Sequence, residues 1–193
     1  MRILITSGAT GGTSKGSIGK YSHLKDFGEA LTKFNMDYKL VRETDYVVGF
    51  PTKQIGKLIS SKKKFKKLIE SFKPDAVLVD RQSNFGLEVI KAGIPLFVIL
   101  RGHYWSELEF AKETIYKDRF MRKIVDIRSQ IAEKVFAGAT AILPVCNHLT
   151  DIIKEHHPQQ SIEVFVEGVD NVRWYKQDGM QLKHPCVGLL QDA

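Results

Sequence analysis

Cysteine is scarce in this sequence, and it has no internal repeat and no long apolar run. The 193 residues include only Cys146 and Cys186, too few for the disulfide framework of a small secreted domain. Cys146 lies in an apolar run, so we expect it to be buried. No apolar stretch approaches the roughly 20 residues that span a bilayer, and no signal peptide pattern precedes the first strand. We therefore expect a cytoplasmic protein.

The composition indicates one globular domain with a basic surface. Hydrophobic residues make up 43% of the chain and charged residues 26%, as in soluble globular proteins. The net charge of +7 favours anionic partners, such as phosphorylated ligands, acidic membrane surfaces or nucleic acid, without choosing among them.

Short apolar runs alternate with amphipathic stretches along the chain. The pattern predicts strands at residues 3–6, 38–41, 76–79, 95–100, 140–143 and 162–166. It predicts helices at residues 21–34, 62–72, 85–91 and 146–156, and a largely helical stretch at 106–137 in one or two pieces. Residues 46–50 are either a short strand or the wall of a loop. Because strands that alternate with helices pair in parallel through right-handed crossovers, we expect an α/β fold with a Rossmann-like, doubly wound parallel sheet.

Residues 94–107 are the clearest candidate for a functional site. A short apolar run there ends at a cation, a glycine, a histidine, two aromatic residues and a carboxylate, which are Arg101, Gly102, His103, Tyr104, Trp105 and Glu107. Open α/β sheets bind ligands at the carboxyl ends of their strands, so these side chains predict a polar site. The alternative is a chain reversal whose aromatic residues merely cover the sheet. Asp80 and Arg81 follow another strand at the same edge, where Arg81 is either a site residue or an ordinary ion-pair partner.

A glycine-rich loop separates the first strand from the first helix. It contains Gly11, Gly12, Thr13 and Ser14, and backbone amides at a helix N-terminus suit an anion. It is not a P-loop, because Tyr21 stands where that motif needs Ser or Thr. It approaches the TGxTGxxG loop of short-chain dehydrogenases, but Ser14 replaces the third glycine. The loop therefore faces a ligand or another domain, or it is a flexible turn.

Four stretches together resemble the N-terminal half of a GT-B glycosyltransferase of the retaining type grouped in family four. RILITSG with the glycine loop resembles the family's first strand, and KPDAV resembles its KPDVV. IPLFVILRGHYWSE resembles IPVVVTLHG, and GATAILPVCNHLTDIIKE with IEVFVEGVD resembles ADxVIxVS and VxVIxNGVD. Two positions depart from these patterns: Arg101 replaces the motif histidine and Glu167 replaces the motif asparagine.

The resemblance implies a hexosyltransferase-type enzyme that moves sugar from a nucleotide-sugar donor to a glycan or lipid-linked acceptor. Residues 1–183 would be the acceptor-side domain and residues 184–193 the start of a missing donor-binding domain, so the chain alone would be inactive. Catalytic roles fall to Arg101, His103 and Glu107, and substrate-binding roles to Gly11, Gly12, Thr13, Ser14, Asp80, Arg81, Gly102 and Tyr104. No cofactor or metal ion is expected beside the donor, in agreement with the lack of any Asp-x-Asp. A plainer alternative for Arg101 is an ion pair with Glu107 or Glu109.

A lysine-rich segment carries Lys62, Lys63, Lys64, Lys66 and Lys67. It is either the solvated face of a sheet-covering helix, which we favour, or a peripheral contact with an anionic membrane. No nucleic acid partner is expected, because no recognised module or aromatic platform accompanies the lysines. The remaining histidines, His148, His156 and His157, lack acidic or cysteine neighbours at ligand spacing and are expected at the surface.

Two other functions stay open. An NAD(P)-dependent Rossmann oxidoreductase is favoured by the glycine loop, but the loop lacks its third glycine and the Tyr21-Lys25 spacing falls on the wrong helix for a catalytic pair. A non-catalytic module that binds sugar or lipid is the second alternative.

Overall fold

The computed structural model describes residues 1–8, 15–48 and 55–168, with side chains of the first and third helices from residues 19 and 62 onward. The strands are β1 (Arg2–Ser7), β2 (Asp37–Arg42), β3 (Ala76–Val79), β4 (Leu96–Leu100) and β5 (Ala141–Pro144). The helices are α1 (Lys15–Thr32), α2 (Glu43–Tyr46), α3 (Ile55–Phe72), α4 (Asn84–Lys91), α5 (Tyr104–Thr114), α6 (Arg119–Gly138) and α7 (Asn147–His156). All five strands are parallel, in the order β2-β1-β3-β4-β5. The predicted Rossmann-like parallel α/β sheet is confirmed.

Helices cover both faces of this sheet, because the central strands are apolar on both sides. On one face, buried side chains of α3, α4 and α6 pack together, including Phe65, Phe85 and Phe136. On the other face, Leu24 of α1 packs against Ile5, Leu78 and Ile99. The strands β3 and β4 are therefore fixed from both sides, and so is the edge at which they end.

Two helices begin earlier than predicted. The first begins at Lys15, in the stretch interpreted as the glycine-rich loop, and the third at Ile55, in a stretch for which no helix was predicted. The long helical stretch is confirmed as two pieces, α5 and α6. The described part of residues 46–50 gives no strand, since α2 ends at Tyr46.

Residues 162–166 do not form the predicted strand. Ile162 makes a single parallel bridge to Ile142, and the Phe165 N–H donates to the Pro144 carbonyl at 2.7 Å. Pro144 has no N–H to donate in return, so the ladder cannot continue along β5. The segment still covers the edge of the sheet, and the Phe165 ring meets the Phe27 ring edge-on at 5.1 Å.

Cys146 is exposed, which contradicts its predicted burial, because it precedes α7 at the end of an apolar strand rather than lying within it. Cys186 and the predicted domain boundary between residues 183 and 184 lie outside the described residues, so that boundary stays a prediction. No helix within the described ranges is long and apolar enough to cross a bilayer.

Candidate functional site

The carboxyl ends of β1, β3 and β4 meet at the point where the strand order reverses. β1 has β2 on one side and β3 on the other, so the connections that follow β1 and β3 diverge to opposite sides. Such a topological switch point leaves a crevice in which open α/β sheets bind ligands. The strand register places the ends of these three strands level with one another, since Val79 of β3 lies opposite both Thr6 of β1 and Val98 of β4.

Gly8 allows the segments after β1 and β3 to approach closely. A Cβ at Gly8 would overlap the guanidinium group of Arg81. The Gly8 N–H also donates to the carboxylate of Asp80. A glycine at this position therefore lets two polar residues of the β3 end lie across the end of β1.

A cleft of about 180 Å³ opens at this edge. Its wall carries three cationic and two acidic side chains, which are those of Lys20, Arg81, Arg101, Asp80 and Glu107, and it is completed in part by Gly102 and Tyr104. The structure thus brings together six of the predicted site residues, from the ends of β3 and β4. Lys20 was not predicted, because it lies on α1, far from the motifs in sequence.

Arg101 lies between two carboxylates. It forms ion pairs with Asp80 and with Glu167, and the exposed fractions of the three side chains are 19%, 5% and 30%, respectively. The partners are therefore not the residues of α5 that the local sequence offered. Burial raises the pKa of Asp80, while the nearby charges of Arg101, Arg81 and Lys20 oppose that rise.

The pair between Arg101 and Glu167 links two segments at this edge of the sheet. Arg101 directly follows β4, and Glu167 lies in the irregular segment that covers the edge at β5. Asp80 pairs with the same guanidinium group, so Arg101 is held by two carboxylates. The ion pair with Glu167 thus joins positions that are 66 residues apart in the sequence.

His103 lies at the N-terminus of α5 and does not line the cleft. Its Nδ1 accepts a hydrogen bond from the Ser106 N–H at 3.2 Å, which satisfies one of the free amides of the first helical turn. Its catalytic role stays a prediction beside this structural one. The carboxylate of Glu107 packs against Gly102, where a Cβ would overlap it.

Tyr104 anchors α5 to the core while one part of it faces the cleft. Its ring lies edge-on to Phe136 with the ring centroids 5.7 Å apart. Burial is the main cause that raises the pKa of Tyr104 to about 12, with the charge of Glu133 as a second cause. Tyr104 therefore remains a neutral hydrogen-bonding group at physiological pH.

A buried carboxyl group lies beneath this edge and was missed as a site residue. Glu43 is 1% exposed and accepts hydrogen bonds from the hydroxyl groups of Thr6 at 3.0 Å and Ser83 at 2.7 Å. Ser83 in turn caps α4 by accepting from the Phe85 N–H. Burial raises the pKa of Glu43 to about 7, opposed by these hydrogen bonds and by the charge of Arg81. The signal available in the sequence was the position of Glu43 directly after a strand.

The glycine-loop residues Gly11, Gly12, Thr13 and Ser14 lie outside the described residues, so their substrate-binding role stays a prediction. The lysine-rich segment is the exposed face of α3, whose Phe65 and Leu68 are buried against the sheet. The amphipathic helix is thereby confirmed. Among residues 1–8, 15–48 and 55–168, no cluster of three or more metal-ligating side chains is present.

Comparisons with known proteins give only distant structural similarity. No protein-family model matches the chain, and no curated protein does. The structure of apo UGT2 from Phytolacca americana is similar with a TM-score of 0.49 and 12% identity, over 84% of this chain and 51% of that one. A putative LacI transcriptional regulator from Bacteroides fragilis is similar with a TM-score of 0.35 and 13% identity, over 82% and 66%. The chain thus spans about half the length of UGT2, and similarity at this distance carries no argument about function.

Proposed function

We propose that this chain is the acceptor-side half of a GT-B glycosyltransferase that transfers a sugar from a nucleotide-sugar donor with retention. The observation that carries the proposal is the cleft at the switch point, with Lys20, Arg81 and Arg101 in its wall. It lies in the stretch whose sequence resembles the family's strand and loop. The chain supplies the acceptor side, and a C-terminal half binds most of the donor.

Cationic side chains suit the chemistry of this transfer. When the bond from the sugar to the diphosphate breaks, negative charge develops on the leaving oxygen, and preorganised positive groups stabilise it. The planar guanidinium groups of Arg81 and Arg101 match phosphate oxygens in pairs, and Lys20 adds a compact charge. Glu107 supplies an acceptor for sugar hydroxyl groups. Asp80 holds Arg101 in place.

Activity of the full-length gene product on a panel of sugar nucleotides tests the proposal. We expect turnover with one donor, and a loss of about 100-fold or more on Arg101→Ala, the order that one charge-stabilising group contributes. Lys66→Ala is the matched control, because Lys66 is an exposed cation on α3 with a side chain 77% exposed. Circular dichroism and thermal unfolding verify that each variant is folded.

Three outcomes would overturn parts of this assignment. Unchanged turnover in the Arg101 variant would show that Arg101 takes no part in the transfer. No turnover and no binding of any sugar nucleotide would favour a sugar- or lipid-binding module. Thermal stabilisation by NAD(H), but not by sugar nucleotides, would favour the oxidoreductase, because a ligand specific for the native state raises its stability.

A further inference from the structure

Exposed apolar side chains are concentrated at one end of the hairpin formed by α5 and α6. Within residues 110–123, which we name the hairpin tip, Phe110 is 63% exposed, Ile115 67% and Phe120 53%. The opposite end of α6 is buried in the core through Val135 and Phe136. The core is therefore closed without the tip, and the tip presents large apolar groups to solvent.

Cations follow Ile115 and flank Phe120 in the sequence. The hairpin tip holds five cationic side chains and two acidic ones, and one of the cations, Lys112, pairs with Asp126 at 2.7 Å. Lys117, Arg119, Arg122 and Lys123 are all exposed. One of the two acids, Asp118, caps α6 by accepting from the Phe120 N–H at 2.9 Å. The outer surface of the tip is consequently both apolar and positively charged.

We propose that the hairpin tip docks on an anionic phospholipid bilayer. Phe110 and Ile115 enter the boundary between headgroups and acyl chains, and the surrounding cations contact lipid phosphates. This combination of aromatic or aliphatic anchors and basic residues is the physical signature of interfacial binding. Charge complementarity selects an anionic lipid surface over a neutral one.

The lysine face of α3 offers the cations of this combination without the apolar anchors. Its lysines are exposed, but Phe65 and Leu68 of the same helix are 6% and 3% exposed, so those side chains are not available for insertion. That face would bind only through long-range electrostatic attraction, which salt abolishes. Binding that persists at high salt must therefore come from the tip.

The tip is also near the cleft. Tyr104 lines the cleft and begins α5, and this helix of 11 residues ends at Thr114. At 1.5 Å per residue it is about 16 Å long. A docked tip thus holds the cleft close to the bilayer, which suits a lipid-linked acceptor; this last point alone rests on the proposed function.

Vesicle sedimentation tests the docking. Vesicles of phosphatidylcholine with phosphatidylglycerol, and of phosphatidylcholine alone, are titrated at low and high salt, and the lipid concentration for half-binding is measured. We expect binding to the anionic vesicles that high salt weakens without abolishing. Phe110→Ser/Ile115→Ser should raise the half-binding concentration about tenfold or more. A second variant, Arg119→Gln/Arg122→Gln/Lys123→Gln, should lose affinity about fivefold for each cation removed.

Two matched controls accompany these variants. Phe34→Ser removes an equally exposed phenylalanine, 71% exposed, just after α1. Lys62→Gln/Lys63→Gln/Lys64→Gln removes three cations from α3. At high salt both should leave binding unchanged within about twofold, because salt screens the attraction of the α3 lysines and neither variant alters the tip.

Several results would overturn the proposal. These are no binding of the unmodified protein to anionic vesicles, loss of binding in the α3 control alone, and binding that the tip variants leave unchanged. A tip variant that converts a dimer into a monomer, with no effect on vesicles, would instead make the tip a contact between two copies. Because no sugar nucleotide is present, failure of docking and failure of glycosyl transfer are separate results.

Discussion

Replacing Glu43 by glutamine should change the pH dependence of stability in a direction unusual for a carboxylate. Most carboxylates are ionised and paired in folded proteins, so proteins lose stability as the pH falls. Glu43 is 1% exposed, and its pKa rises from the ordinary 4.5 to about 7. Between these two pH values the folded protein holds a proton that the unfolded chain has released.

The sign of the effect follows from proton linkage. The folded state binds more protons than the unfolded state in this window, so the free energy of unfolding falls as the pH rises through it. At about 1.4 kcal/mol for each unit of pKa, the full penalty is about 3 kcal/mol and is present above pH 7. Below pH 4.5 both states are protonated and the penalty vanishes. Asp80 and Arg81 are the charged groups that act on this carboxyl.

Glutamine removes the penalty but also disturbs one hydrogen bond. Its oxygen can still accept from Thr6, whereas its amide group faces the Ser83 hydroxyl, which now donates at 2.7 Å. Losing that bond costs about 1 kcal/mol. We therefore expect Glu43→Gln to stabilise the protein by about 2 kcal/mol near pH 8, to have little effect near pH 5, and to destabilise it by about 1 kcal/mol only near pH 4 and below.

Urea unfolding of the unmodified protein and the variant across this pH range measures the difference directly. Taking the difference cancels the titration of groups that do not interact with Glu43. Glu70→Gln is the control, because the Glu70 side chain is 61% exposed on α3, and it should change the free energy of unfolding by no more than about 0.5 kcal/mol. A Glu43 variant that is less stable near pH 8, or a difference that does not change sign, would show that the carboxylate is well solvated or paired.

Three further predictions concern this edge and the packing that supports the sheet. Ser83→Ala should lower the free energy of unfolding by about 1–2 kcal/mol, because the Ser83 hydroxyl caps α4. The loss should be larger near pH 8 than near pH 5, because the same hydroxyl favours the ionised form of Glu43, and an equal loss at the two pH values would contradict this. Gly28→Ala should cost about 1–3 kcal/mol, since a Cβ would overlap the Tyr38 ring, and adding Tyr38→Ala should then cost less than in the unmodified protein. A double-mutant cycle on Arg101→Ala and Glu167→Ala should give a coupling free energy of about 1 kcal/mol in unfolding, and a value near zero would show that this ion pair does not stabilise the fold.

Local sequence patterns predicted the fold because each strand and helix is marked by its own apolar periodicity. The strand predicted at 76–79 has the same bounds in the structure, since Ala76 to Val79 are all buried and flanked by polar turns. Helix beginnings were missed where the apolar stripe starts late, as at Lys15. The strand predicted at 162–166 was wrong because Pro144 has no N–H group with which to continue the ladder.

The candidate site was predictable only as a list of residues at one edge. The residues that follow β3 and β4 do line one cleft, because parallel strands end together. Their partners were not predictable from neighbours in sequence: Arg101 pairs with Asp80, 21 positions away, and with Glu167, 66 positions away. Glu43 was passed over for the same reason, since the hydroxyl groups that surround it come from two other segments.

The ion pairs of Arg101 also set the order in which an anion would meet the cleft. Asp80 is nearly buried and receives an N–H from Gly8, so removing it from Arg101 would leave a charge in a poorly solvated place. The Glu167 side chain is 30% exposed, so water can solvate it when it leaves. A phosphate group approaching Arg101 would therefore displace Glu167 and leave Asp80 bound. Arg101 keeps its orientation in that exchange, which is the property that a preorganised phosphate contact needs.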